Sequence, residues 1–544
     1  AQGPYTLSFD LMKVVMSACR NSVLTFFVIL PIICWAQTER WVYRYTGDST
    51  YNYDEALCIV YGLDNNLYAG GYSTTNSNEV FTIISLTNSG IERWVYTSGN
   101  GAAHAICYGN GSIYSAGNVN GHFTIISLTS EGTERWIYLY PQSSNVISLC
   151  FGADGNVYGV GYTQGDSILV VSVDTNGIER WHYIYPTPSA EALPGRSITY
   201  GIDGNIYVAG YTGPVWDTDV TVISLTPTGS ERWVYLYNGP GGTYDYGNCI
   251  VYGSDDNLYI FGSTCYLGGS GEVFTVGLAI SLTNLGNERW TYISSAGISR
   301  FAGGVYGGDG NLYGAGDVGW DIPFFLVESI SDSGTYRWQY IDTTWGFGTS
   351  IVYGNDGNIY AGGITSNTWQ GGESYFTVIS FTDNGTQNWT YKKHGYGNYS
   401  DIAHSVVYGL DGNIYAAGTI CDSITWGDFA VISLSSTGIK ESERLKVEGK
   451  GLKLMVLPNV ITENAKIQYT IPETQRIYLK LYDITGREVL EIARGIVDEG
   501  VHSHPLNTSN IGSGIYFLVL AGEKDCKVEK ILIVRGEDSG EWSF

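Results

Sequence analysis

Eight copies of one short pattern constrain this chain more than anything else in it. Trp-x-Tyr recurs at Trp41, Trp94, Trp136, Trp181, Trp233, Trp290, Trp338 and Trp389, a mean spacing of about 50 residues. Two more patterns keep that period. One is an Asn-x-Tyr or Ser-x-Tyr group ending at Tyr68, Tyr114, Tyr158, Tyr207, Tyr259, Tyr313, Tyr360 and Tyr415. The other is a β-branched apolar stretch whose first copy is 82–86 and whose last is 430–434. A fixed period of this length marks solenoids, propellers and arrays. Within the first copy, residues 56–61, 67–72, 81–86 and 92–96 read as four short strands rich in Ile, Val, Tyr, Phe and Thr. Asp64-Asn65-Asn66, replaced elsewhere by Asp-Gly-Asn as at Asp203-Gly204-Asn205, supplies hairpin-turn chemistry between the first two. Four-stranded units repeated eight times predict an all-β fold, an eight-bladed β-propeller over residues 37–438. The phase of the repeat predicts its closure. A Trp-x-Tyr strand precedes the first full unit, and the last unit stops at Gly438 without one, so the N-terminal strand is expected to complete the eighth blade and remove an open edge.

Charge divides the chain at the same place. Residues 37–438 hold 12 basic and 36 acidic residues, with Lys392 and Lys393 their only lysines; nine lysines follow. That shift predicts a domain boundary near 439. So acidic a ring is a poor partner for nucleic acid. Gly, Tyr, Thr and Ser stand where a helical bundle would have Ala, Glu, Lys and Leu, which excludes that class. The cysteines form no framework: after Cys19 and Cys34 seven remain, an odd number with no CxxC pair. Cys58, Cys107, Cys150 and Cys249 fall in the first strand of their units and read as small buried hydrophobes.

At the N-terminus, Lys13 and Arg20 precede an apolar run, 23–35, that ends at Ala36. Charged, then apolar, then small is the layout of a secretory signal, expected over residues 1–36 with Met12 the natural start and 1–11 an upstream extension. The run is too short to span a bilayer as a helix. Cleavage would leave no transmembrane segment.

The 50-residue unit resembles the bacterial propeller repeats called SBBP. The resemblance rests on a Gly-Asn-x-Tyr-x-x-Gly strand, a Phe-Thr-x-Ile strand and Gly-x-x-x-Trp, over about residues 39–438. The Gly90 to Trp94 spacing is also similar to that of quinoprotein propellers. Leu86 stands where those enzymes carry Asp and no Cys-Cys pair is present, so no quinone or other cofactor is expected. Residues 439–451 read as a linker, 452–536 as a small Ig-like β-sandwich with period-2 runs at 466–470 and 478–482, and 537–544 as a tail. The sandwich resembles the type A sorting domain of the type IX secretion system. The residues that carry this are Leu457-Pro458-Asn459, the run from Leu481, Tyr482 and Asp483 through Gly486 to Val489, Gly514-Ile515-Tyr516-Phe517, and Lys530 to Val534. Val460 stands where that family usually has Pro. The resemblance implies the type IX machinery as a partner, export across a bacterial outer membrane, and release or attachment at the cell surface.

A ligand site must be sought off the repeat. Twenty-three of 44 Tyr occupy repeat positions, and seven of ten propeller Arg immediately precede a repeat Trp, which reads as a structural ladder. The loops after the second and fourth strands open on one face and vary between units; the turns after the first and third hardly change. Function concentrates on variable loops of rigid scaffolds. Five off-repeat tryptophans, Trp216, Trp320, Trp345, Trp369 and Trp426, fall on that variable face with Tyr244, Tyr246 and Asp321, and Asp217, Asp219, Asp245, Asp422 and Asp428 nearby. Flat rings beside carboxylates suit a glycan, whose apolar ring face they cover; the same set suits a protein hot spot. There is no HExxH, G-x-S-x-G or P-loop, no metal-ligand spacing, and no residue to name as catalytic. His104 and His404 hold equivalent positions in non-adjacent units and read as strand-end residues. The expected function is non-catalytic binding of glycan or protein outside the cell. The alternative is an extracellular glycosidase or lyase using carboxylates of the variable face.

Overall fold

The computed structural model describes residues 39–47, 53–75, 78–187, 195–214, 217–267, 273–319, 322–367, 373–395, 400–421, 426–436, 452–457, 460–461, 464–483, 488–508, 511–512, 514–522 and 526–533. The expected signal segment, linker and tail lie outside them. Two compact units are present: one is Gln37–Gly438, and the described part of the other falls in Ile439–Phe544. Among the described residues there is no helix, hence none long and apolar enough to cross a membrane.

In the first blade β2 (Glu55–Tyr61), β3 (Asn66–Thr75), β4 (Asn78–Thr87) and β5 (Glu92–Gly109) pair antiparallel in that order, from the axis outwards. The two middle strands are covered by neighbouring blades on both faces, so they read as continuous apolar runs rather than alternating ones: Phe81, Ile83, Ile84 and Leu86 are all buried. Among the described residues this pattern recurs as eight four-stranded antiparallel groups. β5 and the strands Glu134–Phe151, Glu288–Tyr306 and Tyr336–Tyr353 each end one blade and begin the next, which joins blades one to three and five to seven into ten-stranded ladders. The innermost strands touch in a cycle that returns to β2 from Ile402–Tyr408 of the last blade, so the propeller is a closed ring. In that last blade the fourth strand is β1 (Glu39–Tyr45), which pairs with Asp428–Ser435 and sets Trp41 opposite Ser433 and Tyr45 opposite Phe429.

The repeated residues tie each blade to the next on the constant face. Every repeat Trp indole donates to a carbonyl in the following blade's third-to-fourth turn, at 2.8–3.4 Å. Gly90 of that turn (φ 86°) lies flat on the Trp41 ring, where a Cβ would stand 2.6 Å away, which accounts for Gly-x-x-x-Trp. The tyrosine two residues after the Trp donates to the Glu that opens the next blade's outer strand, Tyr43 to Glu92, Tyr96 to Glu134, Tyr138 to Glu179, Tyr183 to Glu231 and Tyr235 to Glu288, at 2.5–2.7 Å. The arginine before the Trp works within its own blade. Arg337 donates to Tyr313 (3.1 Å) and Ser329 (2.8 Å), Tyr313 donates to Asp309 (2.6 Å), and six other blades repeat the Arg-to-Tyr and Arg-to-Ser bonds. The expected ladder is present.

That ladder makes the ring sensitive to acid. Burial pushes the Asp309 carboxyl up, but hydrogen bonds from Tyr313 and Asn311 and the Arg337 charge outweigh it and hold it below the usual value; Asp64, Asp154 and Asp255 are held likewise. A carboxylate whose folded-state pKa is depressed contributes its stability in full above the unfolded value, about 3.9, and loses it as pH falls through the lower folded value. Asp309→Asn should therefore melt below the wild type at pH 7, and the gap should close below about pH 4. Melting curves from pH 7 to 3 check this, and a gap that stays constant would refute it. Burial pushes the Cys58 and Cys107 thiols up to about 12, which keeps these two protonated and unreactive.

The second unit is a β-sandwich. Lys453–Leu457, Asn464–Ile471 and Gly500–Asn507 form one sheet; Val460–Ile461, Cys526–Ile533, Gly514–Ala521, Gln475–Asp483 and Glu488–Val497 form the other. Leu454, Val456, Ile467 and Ile471 of the first pack against Leu479, Leu481, Leu518, Leu520 and Ile531 of the second. Three of the segments that carry the sorting resemblance are neighbours in one sheet: Tyr482 is opposite Phe517, Asp483 opposite Tyr516, and Lys530 opposite Phe517 on the other side. Gly514 begins the middle strand, and Tyr516 donates to the Gly512 carbonyl (3.0 Å). Pro458, Asn459 and Gly486 lie outside the described residues.

Candidate functional site

Every innermost strand of the ring carries a β-bulge four residues before its last aromatic. In β2, Ala56 pairs with Gly71 and Cys58 with Gly70, leaving Leu57 without an opposite residue. The same position is His104, Ile147, Arg196, Asn248, Ala302, Thr349 and His404 in blades two to eight. A bulge bends its strand and re-aims the extra side chain. Its counterpart is the last glycine of Asn-x-Tyr-x-x-Gly. A Cβ on Gly71 would lie 1.8 Å from the Glu55 carbonyl oxygen, and one on Gly316 equally close to that of Arg300. The repeat therefore fixes the bulge and leaves its side chain free to differ. Eight residues of seven types, with only His repeated, ring the axis in the half of the strands nearest the variable face.

Two polar groups stand around this ring. On blades eight, one and two, the His404 Nε2 donates to Glu55 Oε1, which also accepts from Thr419 (3.3 Å), while Tyr72 donates to Glu55 Oε2 (2.9 Å). Burial raises the Glu55 carboxyl, but these bonds and the His404 charge bring it below its usual value. His104, on the next blade, is pushed down by burial, partly offset by Glu55. The two histidines are thus bracketed around a carboxylate on the blade between them, a grouping that their separation by one blade conceals. On blades four to six, the Arg196 guanidinium donates to Tyr211 (3.1 Å) and lies over its ring, Tyr246 meets Tyr211 edge-on with centroids 4.7 Å apart, and Tyr244 stacks parallel to Tyr246. Arg300 grips Asp317 through Nε and Nη2, both at 3.1 Å, beside a cleft of about 220 Å³. Glu55, Tyr246 and Arg300 all sit six residues before the last aromatic of their strands, so alignment of the units on that aromatic finds them.

Of the aromatic candidates, Tyr244 and Tyr246 are together on blade five. Trp345 stands where the strand Tyr336–Tyr353 crosses to blade seven, edge-on to Phe347 at 6.0 Å. Trp426 is on blade eight, 46% exposed, next to the Gly427 that bridges to Tyr53. Trp216, Trp320, Trp369 and Asp321 lie outside the described residues. Two nearby acids serve the scaffold. Asp245 is buried and accepts from Gly239 N (2.5 Å); Asp54 and Asp401 do the same for Gly47 (2.7 Å) and Gly395 (2.8 Å), each tying down the loop that leads into its inner strand. Asp428 pairs with Arg44 at 3.5 Å. Among the described residues no group of three His, Cys, Asp or Glu side chains could hold a metal ion.

Residues 455–534 match the family described as the secretion system C-terminal sorting domain. No curated protein matches the chain. Among solved structures the chain is similar to PorZ, an essential surface component of the type IX secretion system of Porphyromonas gingivalis, at 12% identity over 87% of this chain and 68% of that one, with a TM-score of 0.37. It is also similar to Sqt1 of Chaetomium thermophilum (11% identity, 74% and 98% covered, TM-score 0.49) and to the WD40 domain of Neurospora crassa Pan2 (10%, 61% and 93%, 0.40).

Proposed function

We propose that this chain, a β-propeller that its type IX sorting domain directs to the cell surface or beyond, is a non-catalytic binder of extracellular glycans through the variable face of the ring. The observation that carries this reading is the bulge ring. On the constant face the repeated Trp, Tyr, Arg, Glu and Asp groups are engaged in bonds between and within blades that recur in most of the units. At the variable mouth the bulge side chain changes from blade to blade, only His occurring twice, with the aromatic clusters of Tyr211, Tyr244 and Tyr246 and of Trp345 and Phe347 behind it. Glu55, a carboxylate of the inner strand of blade one, has both oxygens engaged, Oε1 by His404 and Thr419 and Oε2 by Tyr72, so that it is held as part of the wall of the mouth. The two ends of the ring, Glu39 and Ser436, leave on the opposite face, where Trp389 bonds the Ser436 carbonyl. A glycan array probed with the full chain, followed by a reducing-sugar assay on each hit, tests the reading. The expected result is retention of intact oligosaccharides, reduced at least tenfold by Trp345→Ala or Trp426→Ala. Release of reducing ends would make the protein an enzyme, and an empty array would remove the glycan.

A further inference from the structure

We infer that the cleft beside Arg300 is a subsite for a vicinal diol of an uncharged pyranose; this rests on the glycan-binding reading above. Arg300 and Asp317 are directly opposite each other in paired strands, so the register of the sheet, rather than the torsions of two long side chains, sets their contact. The guanidinium spends Nε and Nη2 on the carboxylate, at 3.1 Å each, and with five N–H groups in its fork keeps three to give. It is 60% exposed, whereas Asp317 is only 12% exposed and retains lone pairs beyond the two bonds. The pair therefore offers a fixed donor next to a fixed acceptor. Adjacent sugar hydroxyls are the complement: one oxygen accepts from Arg300 while its neighbour donates to Asp317.

The walls fit the same ligand. Val273 and Ile298 bring apolar side chains to the cleft and Thr275 a polar one, a match for a ring with apolar faces and a polar rim. Charge selects against acidic sugars. The ring holds 36 acidic and 12 basic residues. Seven of its arginines are held in the ladder, Arg44, Lys392 and Lys393 pair with Asp428, Asp342 and Glu39, and Arg196 on blade four is turned onto Tyr211. Asp317 cancels the charge of Arg300 itself. A uronate or sulfated sugar would meet a neutral cleft in a negative field. An uncharged sugar loses nothing there.

The test measures binding of the full chain to neutral gluco-, galacto- and manno-oligosaccharides beside their uronate and sulfated counterparts. Arg300→Met and the double variant Arg300→Met/Asp317→Asn are compared; the double variant leaves neither charge unpaired and so keeps the fold if the single one does not. The expected result is binding of a neutral sugar that falls at least tenfold in the double variant while its melting temperature stays within a few degrees of the wild type. Neutral-sugar binding unchanged in the double variant would overturn the subsite and leave the glycan reading standing. Preference for the acidic sugars would overturn its neutrality. Binding of none of the probes would remove both the subsite and the glycan reading beneath it.

Discussion

Deleting residues 39–46 should destroy the cooperative unfolding of the ring, not merely shift it. β1 is one strand of seven residues, yet it is bonded to three blades. Within blade eight it pairs from Leu434 to Phe429, and Arg40 donates to Ser433 (2.9 Å) and Tyr415 (3.2 Å). Across to blade one, Trp41 bonds the Asn88 carbonyl (3.1 Å) and covers Gly90, and Tyr43 bonds Glu92 (2.5 Å). From blade seven, Tyr391 (2.5 Å) and Lys393 (3.1 Å) reach Glu39. Removal uncovers the edge strand Asp428–Ser435, whose Phe429, Val431, Ile432 and Leu434 are fully buried. At about 1 kcal/mol for each lost bond and about 1.5–3 for each large apolar side chain uncovered, the loss exceeds about 5 kcal/mol, which is comparable with the whole stability of a domain. Calorimetry of the truncated protein should show a broad transition at much lower temperature. A synthetic peptide of residues 37–46 should restore the sharp one. An undisturbed melt without the strand would mean that the ring closes by other contacts.

The latch was legible because it belongs to the repeat: a strand present once too early and once too few. The same holds for the tryptophan, tyrosine and arginine ladder, where one physical role recurs at a fixed place in every unit. What does not recur is hidden. In blade six Tyr336 stands where six other outer strands begin with Glu, and Tyr292 turns instead to Glu328, fully buried at a position that blade one fills with Ile84. Nothing in the local sequence announces that exchange. The Glu55–His404 contact joins residues 349 apart, across the seam of the ring, and each of them sits in a mainly apolar strand. Composition drew attention to tryptophans in long loops, and of the bulge positions only the paired His104 and His404 stood out, because a position held by seven residue types in eight units makes little pattern. Its neighbour did make one. The invariant glycine of Asn-x-Tyr-x-x-Gly is plain in the repeat, but its role appears only when the opposite carbonyl is seen.

That glycine should be among the least replaceable residues in the ring. Gly316→Ala would set a Cβ 1.8 Å from the carbonyl oxygen of Arg300 and 3.0 Å from the Cα of Phe301. Both are backbone atoms, so no rotamer change relieves the clash, and φ at Gly316 is not in the left-handed region, so the whole effect is steric. Relief requires the strands to part or the bulge at Ala302 to flatten, and either movement takes Arg300 off Asp317. The cost should reach or pass the upper end of the roughly 1–3 kcal/mol typical of overpacking, a melting temperature lower by several degrees, with the Arg300 cleft lost as well. Gly303, in the next pair along the same ladder, provides the contrast: a Cβ there meets nothing nearer than the Thr349 oxygen at 3.4 Å, and Gly303→Ala should melt with the wild type. Ala302→His should also be silent, since the bulge position already accepts His in two other blades. Melting temperatures should therefore fall in the order Gly303→Ala and Ala302→His together, then Gly316→Ala well below. If all three coincide, the glycine does not hold the bulge, and the variety around the ring needs another cause.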